Sequence, residues 1–265
     1  MIRAVLFDLD DTLVDFVRPP DARALVCAGA ERCYAYLTAH GLPMPSFETF
    51  LRRQRWQRWA TQWMDRLCGA EPDGRHALRR LCREFGLQRD ESSLAKLGWL
   101  WYEAMTECAR VADDVVPTLS ALRDQDIALA LVANTPHLGA VIDQHLSELS
   151  LIDFFPVRSY SSEVGARKPD AHVYTTALEE LGVGASDALF VGNELKTDIV
   201  GARRLGMKTA LRTKRPATRR ERQLSDHVIL RVEELLPILD LPSSPTPRSS
   251  PIPPLQLQDV AVGAK

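Results

Sequence analysis

No stretch of this 265-residue chain is apolar for long enough to cross a bilayer, which takes about 18–20 uninterrupted residues. The N-terminus also lacks the basic segment, apolar core and cleavage site of a signal peptide. Net charge is small: 33 Lys and Arg face 35 Asp and Glu, and a balance of −2 speaks against a nucleic-acid partner. Cysteines are few and odd in number (Cys27, Cys33, Cys68, Cys82 and Cys108) and show no metal-type pairing. They read as reduced thiols of a cytoplasmic protein, packed mostly as small hydrophobes. What is present is ordinary for a globular chain, with 45% apolar and 26% charged residues. The length suits one large α/β domain, or a core carrying an inserted subdomain.

The most informative stretch is the opening. Ala4-Val5-Leu6-Phe7 runs straight into Asp8-Leu9-Asp10-Asp11-Thr12-Leu13. A short apolar run ending in polar residues reads as a buried strand that delivers its C-terminal end to a site. On a strand, side chains two apart share a face, so Asp8 and Asp10 point the same way while Leu9 turns back into the core. Two carboxylates on one face repel each other, and folding alone does not explain them. A hard cation held by oxygen ligands does, and Mg²⁺ suits such donors.

Beyond Asp15, Val17-Arg18-Pro19-Pro20 breaks regular structure and reads as a hinge. Helical periodicity then predicts segments near 21–40, 46–67, 74–86 and 91–110, with almost no strand signal between them. Residues 16–114 are therefore expected to form a helical cap domain, inserted into a core made of 1–15 and 115–240. Trp56, Trp59 and Trp63 recur at helical spacing and read as a seam between cap helices. From Val115, strands predicted at 127–133, from 154, at 188–191, 207–211 and 228–230 alternate with helices near 117–126, 137–149, 170–181 and 197–205. Such alternation predicts an α/β fold with a doubly wound parallel, Rossmann-like sheet. Ligands bind beyond the carboxyl ends of such strands, which singles out the loops after Phe7, Val132 and Val191. Residues 241–265 turn rich in Pro and Ser and are expected to form a disordered tail.

The singled-out loops carry Asp8, Asp10, Asp11 and Thr12, then Ala133-Asn134-Thr135, then Gly192-Asn193-Glu194 with Asp198 beyond; Gly165-Ala166-Arg167-Lys168-Pro169-Asp170 lies between the last two. With these residues the chain, from 1 to about 240, resembles the haloacid dehalogenase (HAD) superfamily. Phe-Asp-Leu-Asp-Asp-Thr-Leu at 7–13 matches its first motif and Lys168-Pro169 its third. Gly192-Asn193 with Asp198, Gly201-Ala202 and Gly206-Met207 matches the spacing of its fourth.

The resemblance implies a Mg²⁺-dependent phosphatase with a helical, C1-type cap, acting on a small phosphorylated metabolite. It implies that Asp8 is the nucleophile and forms an aspartyl-phosphate, because a carboxylate can split one difficult displacement into two easier ones. Asp10 would protonate the leaving alkoxide and then deprotonate the attacking water. Lys168 would place fixed positive charge on the nucleophile and the transferring group. The implied metal set is Asp8, Asp10 through its backbone carbonyl, Asn193 and Asp198, with Asp198 holding either a metal-bound water or Lys168. Asn134 and Thr135 are expected to bind the phosphoryl group together with Lys168. Dehalogenases of the family lack the carboxylate that Asp10 supplies, so the residues favour phosphate esters.

Two positions depart from the family pattern. Ala133 stands where Ser or Thr is usual, and Asn193 where Asp is commonest, which removes a charge from the metal's ligands. These departures leave room for a second reading, a catalytically weak or inactive phosphoryl-binding protein on the same fold. The chain is expected to act as a monomer or dimer, with no nucleic-acid or membrane partner.

Overall fold

The computed structural model describes residues 1–17, 22–54, 74–87 and 90–242. Trp56, Trp59 and Trp63, Cys68, the hinge prolines, the second half of the helix expected over 46–67 and the tail from 243 onward lie outside those residues. Cys33 and Cys82 are buried, and Cys27 and Cys108 are half-buried.

Strand β1 (Ala4–Phe7) is the centre of the molecule, and all four of its residues are fully buried. It pairs in parallel with β4 (Ala128–Ala133) on one side and with β6 (Ala188–Gly192) on the other. β5 (Val157–Tyr160) extends the sheet beyond β4, while β7 (Lys208–Arg212) and β8 (His227–Ile229) extend it beyond β6. The order is β5-β4-β1-β6-β7-β8. The chain leaves β1 to build one half of the sheet and returns to build the other, so its winding reverses at β1. Connections diverge on either side of such a strand and leave a crevice at its carboxyl end.

Period-two alternation divides the core. Val5, Phe7, Leu129, Leu131 and Val191 face a large cluster that includes Leu119, Leu122, Val141, Ile142 and Leu146. Ala4, Leu6, Ala130, Val132 and Phe190 face a smaller one built on Val173, Tyr174, Ala177 and Ala202. Helices therefore cover both faces, as a parallel sheet buried on both sides requires. They include Val115–Asp124, Gly139–Glu148 and Ala171–Leu181, within two residues of where the periodicity predicts them.

Between β2 (Val14–Phe16) and β3 (Ala109–Val111), an antiparallel ribbon, the described chain is helical: Ala22–Ala39, residues 47–54, Gly74–Phe85 and Glu91–Thr106. The ribbon differs from expectation, since residues up to 110 read as helix. Three-residue strands carry too little alternation to be seen, and it is their pairing that defines them. Among the described residues, no helix is long and apolar enough to cross a membrane.

Candidate active site

The backbone beyond β1 is held before any side chain acts. The Asp8 N–H donates to the Val191 carbonyl, and the N–H groups of Thr12, Leu13 and Val14 all converge on the Leu9 carbonyl. That knot requires Asp11 at φ +59, a left-handed conformation that Asp tolerates better than most residues. Leu9 is buried in the core, Asp8 is buried at the strand end and Asp10 is exposed. Arg212, at the end of β7, donates to the Asp11 carbonyl and to Asp15, and Lys214 pairs with Asp11 and Asp15.

Asp8 is gripped from both sides. Lys168 Nζ lies 2.5 Å from its Oδ1, and the Thr12 hydroxyl donates to Oδ2 at 3.0 Å. The same ammonium lies 2.8 Å from Asp198 Oδ1, with Lys168 only 2% and Asp198 only 1% exposed. Asp198 Oδ2 accepts the backbone N–H groups of Asn193 and Glu194. Gly192 makes this possible, since a β-carbon there would overlap the Asp198 side chain. Of the two tasks open to Asp198, its oxygens are thus taken up by Lys168 and by the turn after β6.

One buried cation faces two buried carboxylates, with Asp10 close by. Burial above all pushes the Asp8 carboxyl up to about 7; Lys168 pulls it down, while Asp198 and Asp10 push it up. Burial alone would lower the Lys168 pKa, but its attraction to Asp8 and Asp198 outweighs this and holds it above its usual value. The imbalance of negative charge at the strand end fits a divalent cation. The donors able to hold one are the free lone pairs of Asp8, the Asp10 carbonyl and the exposed Asn193 side chain at the end of β6. No group of three or more His, Cys, Asp or Glu side chains among the described residues is arranged around a common point. So sparse a set of oxygens suits Mg²⁺, which keeps several of its waters.

Asn134 is engaged with the backbone of Lys168. Its Oδ1 accepts the Lys168 N–H at 2.7 Å and its Nδ2 donates to the Lys168 carbonyl at 3.1 Å. The carboxamide thus grips the main chain of Lys168 from both sides and keeps its second Nδ2 proton to donate. The Thr135 N–H is also taken, by the Ser161 hydroxyl at 2.9 Å, which in turn donates to the Thr135 carbonyl. The Thr135 hydroxyl accepts the His137 N–H at 3.2 Å and keeps its own proton to donate. Ala133 is buried, and its methyl joins the apolar cluster of Phe7, Leu131 and Tyr160.

Replacing Asn134 with Ala should lower kcat about 10²-fold by letting Lys168 drift, while the inhibition constant of inorganic phosphate changes less. If the two constants move in step, Asn134 binds phosphate directly.

The sequence singled out Thr12 at the strand end without giving it a task, although its spacing of four from Asp8 was the available signal; Ser161 carried no signal. The sequence reading passed over Tyr102 and His145, buried partners on helices far apart in the chain. Burial holds the His145 pKa down at about 4, against an ordinary value of 6.5. A depressed folded-state pKa confers stability that is present above pH 6.5 and lost as pH falls through 4. The loss amounts to about 3 kcal/mol. Denaturant melts of wild type and His145→Gln should therefore converge as pH drops from 7 to 4; a constant gap would show that folding leaves the His145 pKa unchanged.

The fold, and the order in which its strand ends present Asp8, Lys168 and Asp198, define a class. The haloacid dehalogenase-like hydrolase family matches residues 2–206, and the chain belongs to that family. Among curated relatives, the ribulose-1,5-bisphosphate 5-phosphatase of Halopiger xanaduensis is 31% identical over 212 residues, covering 80% of this chain and 84% of that one. The glyceraldehyde 3-phosphate phosphatase of Methanopyrus kandleri is 30% identical over 209 residues, covering 79% and 83%. A solved HAD phosphatase from Thermococcus onnurineus superposes with a TM-score of 0.58 at 23% identity, over 91% of this chain and 100% of its own, a likeness of fold.

Proposed function

We propose that this protein is a Mg²⁺-dependent phosphatase that hydrolyses the phosphate ester of a small metabolite through an aspartyl-phosphate on Asp8. The observation that carries the reading is Asp8 itself: a buried carboxylate at the winding reversal, held by Lys168 and Thr12. Aimed in this way, Asp8 attacks phosphorus while the ester oxygen departs. Asp10, two residues on and exposed to the cleft, gives its proton to that oxygen and later takes one from the water that cleaves the acyl phosphate. Lys168 offsets the negative charge that a carboxylate and a phosphate share on approach. Thr135 retains a hydroxyl proton for a phosphoryl oxygen, in a turn where Ala133 offers none. Asp8, the Asp10 carbonyl and Asn193 would hold Mg²⁺, which when bound neutralises charge on the phosphoryl group.

Three named relatives support a phosphate ester as substrate: the two above, and a phosphoglycolate phosphatase of Pseudomonas aeruginosa, 28% identical over 214 residues. The helices between β2 and β3 would act as a cap over the cleft. We read the protein as a cytoplasmic enzyme, monomeric or dimeric. The test is phosphate release from an aryl phosphate and a panel of small phosphorylated metabolites, with and without Mg²⁺. Release that EDTA abolishes and Mg²⁺ restores is expected; no release from any ester would point to a phosphoryl-binding protein instead.

A further inference from the structure

Helix Glu91–Thr106 reaches the site through Tyr102. This side chain is buried, and its hydroxyl lies 2.8 Å from Nδ1 of His145 on helix Gly139–Glu148. Its ring stands edge-on to His137, in the turn after β4, with centroids 4.8 Å apart. Phe16 packs on His145 at 6.2 Å. Gly98 lets the two helices come this close, since a β-carbon there would sit 2.9 Å from Val141 Cγ2. Tyr102 is therefore fixed in the wall where the inserted helices meet the turn after β4.

His145 is 2% exposed and its Nε2 has no hydrogen-bond partner. A neutral imidazole carries one proton, on either nitrogen. On Nε2 it would create a buried N–H with nothing to donate to, and orphaned donors are rarer in proteins than under-used acceptors. The proton therefore belongs on Nδ1, which donates to the Tyr102 oxygen. The hydroxyl proton of Tyr102 must then point away from His145. The ring contact with His137 sets Tyr102 against the turn that also carries Thr135, and Asp10 lies within electrostatic reach: burial raises the Tyr102 pKa and the negative charge of Asp10 adds to it.

We propose that Tyr102, oriented by His145, donates a hydrogen bond to an uncharged hydroxyl or carbonyl oxygen on the alcohol portion of the substrate. This rests on the phosphatase reading and narrows it to esters of oxygen-bearing alcohols rather than plain alkyl phosphates. A neutral acceptor is favoured because a carboxylate in the same place would face Asp10.

The experiment compares kcat/KM for 2-hydroxyethyl phosphate and ethyl phosphate in wild type and Tyr102→Phe. Wild type should prefer the hydroxylated ester by about twofold to tenfold, the worth of one neutral hydrogen bond, and the variant should lose the preference. A preference that survives in Tyr102→Phe, or one absent from an active wild type, overturns the proposal. A wild type that hydrolyses neither ester, nor any metabolite of the panel, would instead count against the phosphatase reading. Long-range ¹H–¹⁵N spectra of the wild type decide the orientation independently of activity and of how the variant folds. A proton on Nδ1 of His145 supports the proposal and a proton on Nε2 overturns it.

Discussion

Asp8→Asn is expected to abolish turnover, by on the order of 10⁴–10⁶-fold as for the loss of other covalent nucleophiles, while leaving a folded protein. An amide keeps the shape of the carboxylate and can still accept from Thr12, but it does not attack phosphorus. The stability half of the expectation comes from the charges. Burial pushes the Asp8 carboxyl up to about 7. A raised carboxyl pKa means stability that is present below its ordinary value of 3.8 and lost as pH rises through 7. Without metal, Asp8 therefore weakens the fold near neutral pH, and replacing it leaves Lys168 matched one-to-one with Asp198. In EDTA, the variant should melt at or above the wild-type temperature at pH 8, with the advantage shrinking toward pH 4. Phosphate release near the wild-type rate would sink the covalent mechanism. A lower melting temperature would show that the Asp8–Lys168 pair stabilises the fold.

Lys168→Met is expected to act on stability and activity together, with the opposite sign in the melts. Removing the ammonium leaves Asp8 and Asp198 buried side by side with no cation between them. Breaking one side of a buried ion pair costs about 3–5 kcal/mol. The Asp8 carboxyl, no longer pulled down by Lys168, should then titrate higher in the folded state, so the deficit should grow as pH rises from 5 to 8 and shrink as it takes up its proton. Turnover should fall about 10²–10³-fold, the usual effect of losing one preorganised charge at a developing transition state. Guanidinium melts of wild type and variant at pH 5.5 and pH 8 separate the possibilities. A deficit that is the same at both would mean that Lys168 acts by packing, with its ammonium over the Phe190 ring, rather than by charge.

The parallel sheet and its helices were legible in the chain because each strand is buried on both faces. Burial of that kind writes continuous apolar runs such as Leu129-Ala130-Leu131-Val132, which need no partner to be recognised. The same holds for Asp8: an apolar run of strand length ending in spaced carboxylates has little reason to exist except to present them. Helix ends were legible where a residue type caps them, as Asp170 does for Ala171–Leu181 and Gly182 at its far end. The ribbon of Val14–Phe16 and Ala109–Val111 was not legible, because it is defined by pairing across more than ninety residues of intervening chain.

At the site, sequence alone determined which residue types stand at the strand ends, and hence the chemistry open to them. It did not determine which groups each side chain would be spent on. Asn134 and Lys168 are 34 positions apart, and only the packing of the turn after β4 against the segment after β5 brings the carboxamide onto the Lys168 peptide. Asp198 likewise became the partner of Lys168 because Gly192 leaves room for its side chain beneath two backbone N–H groups. Tyr102 and His145 carry no local signature, since a tyrosine and a histidine on amphipathic helices are ordinary core residues until the helices meet. A hydrogen bond depends on distances of tenths of an ångström between groups far apart in the chain, and those distances are set only when the whole core has closed.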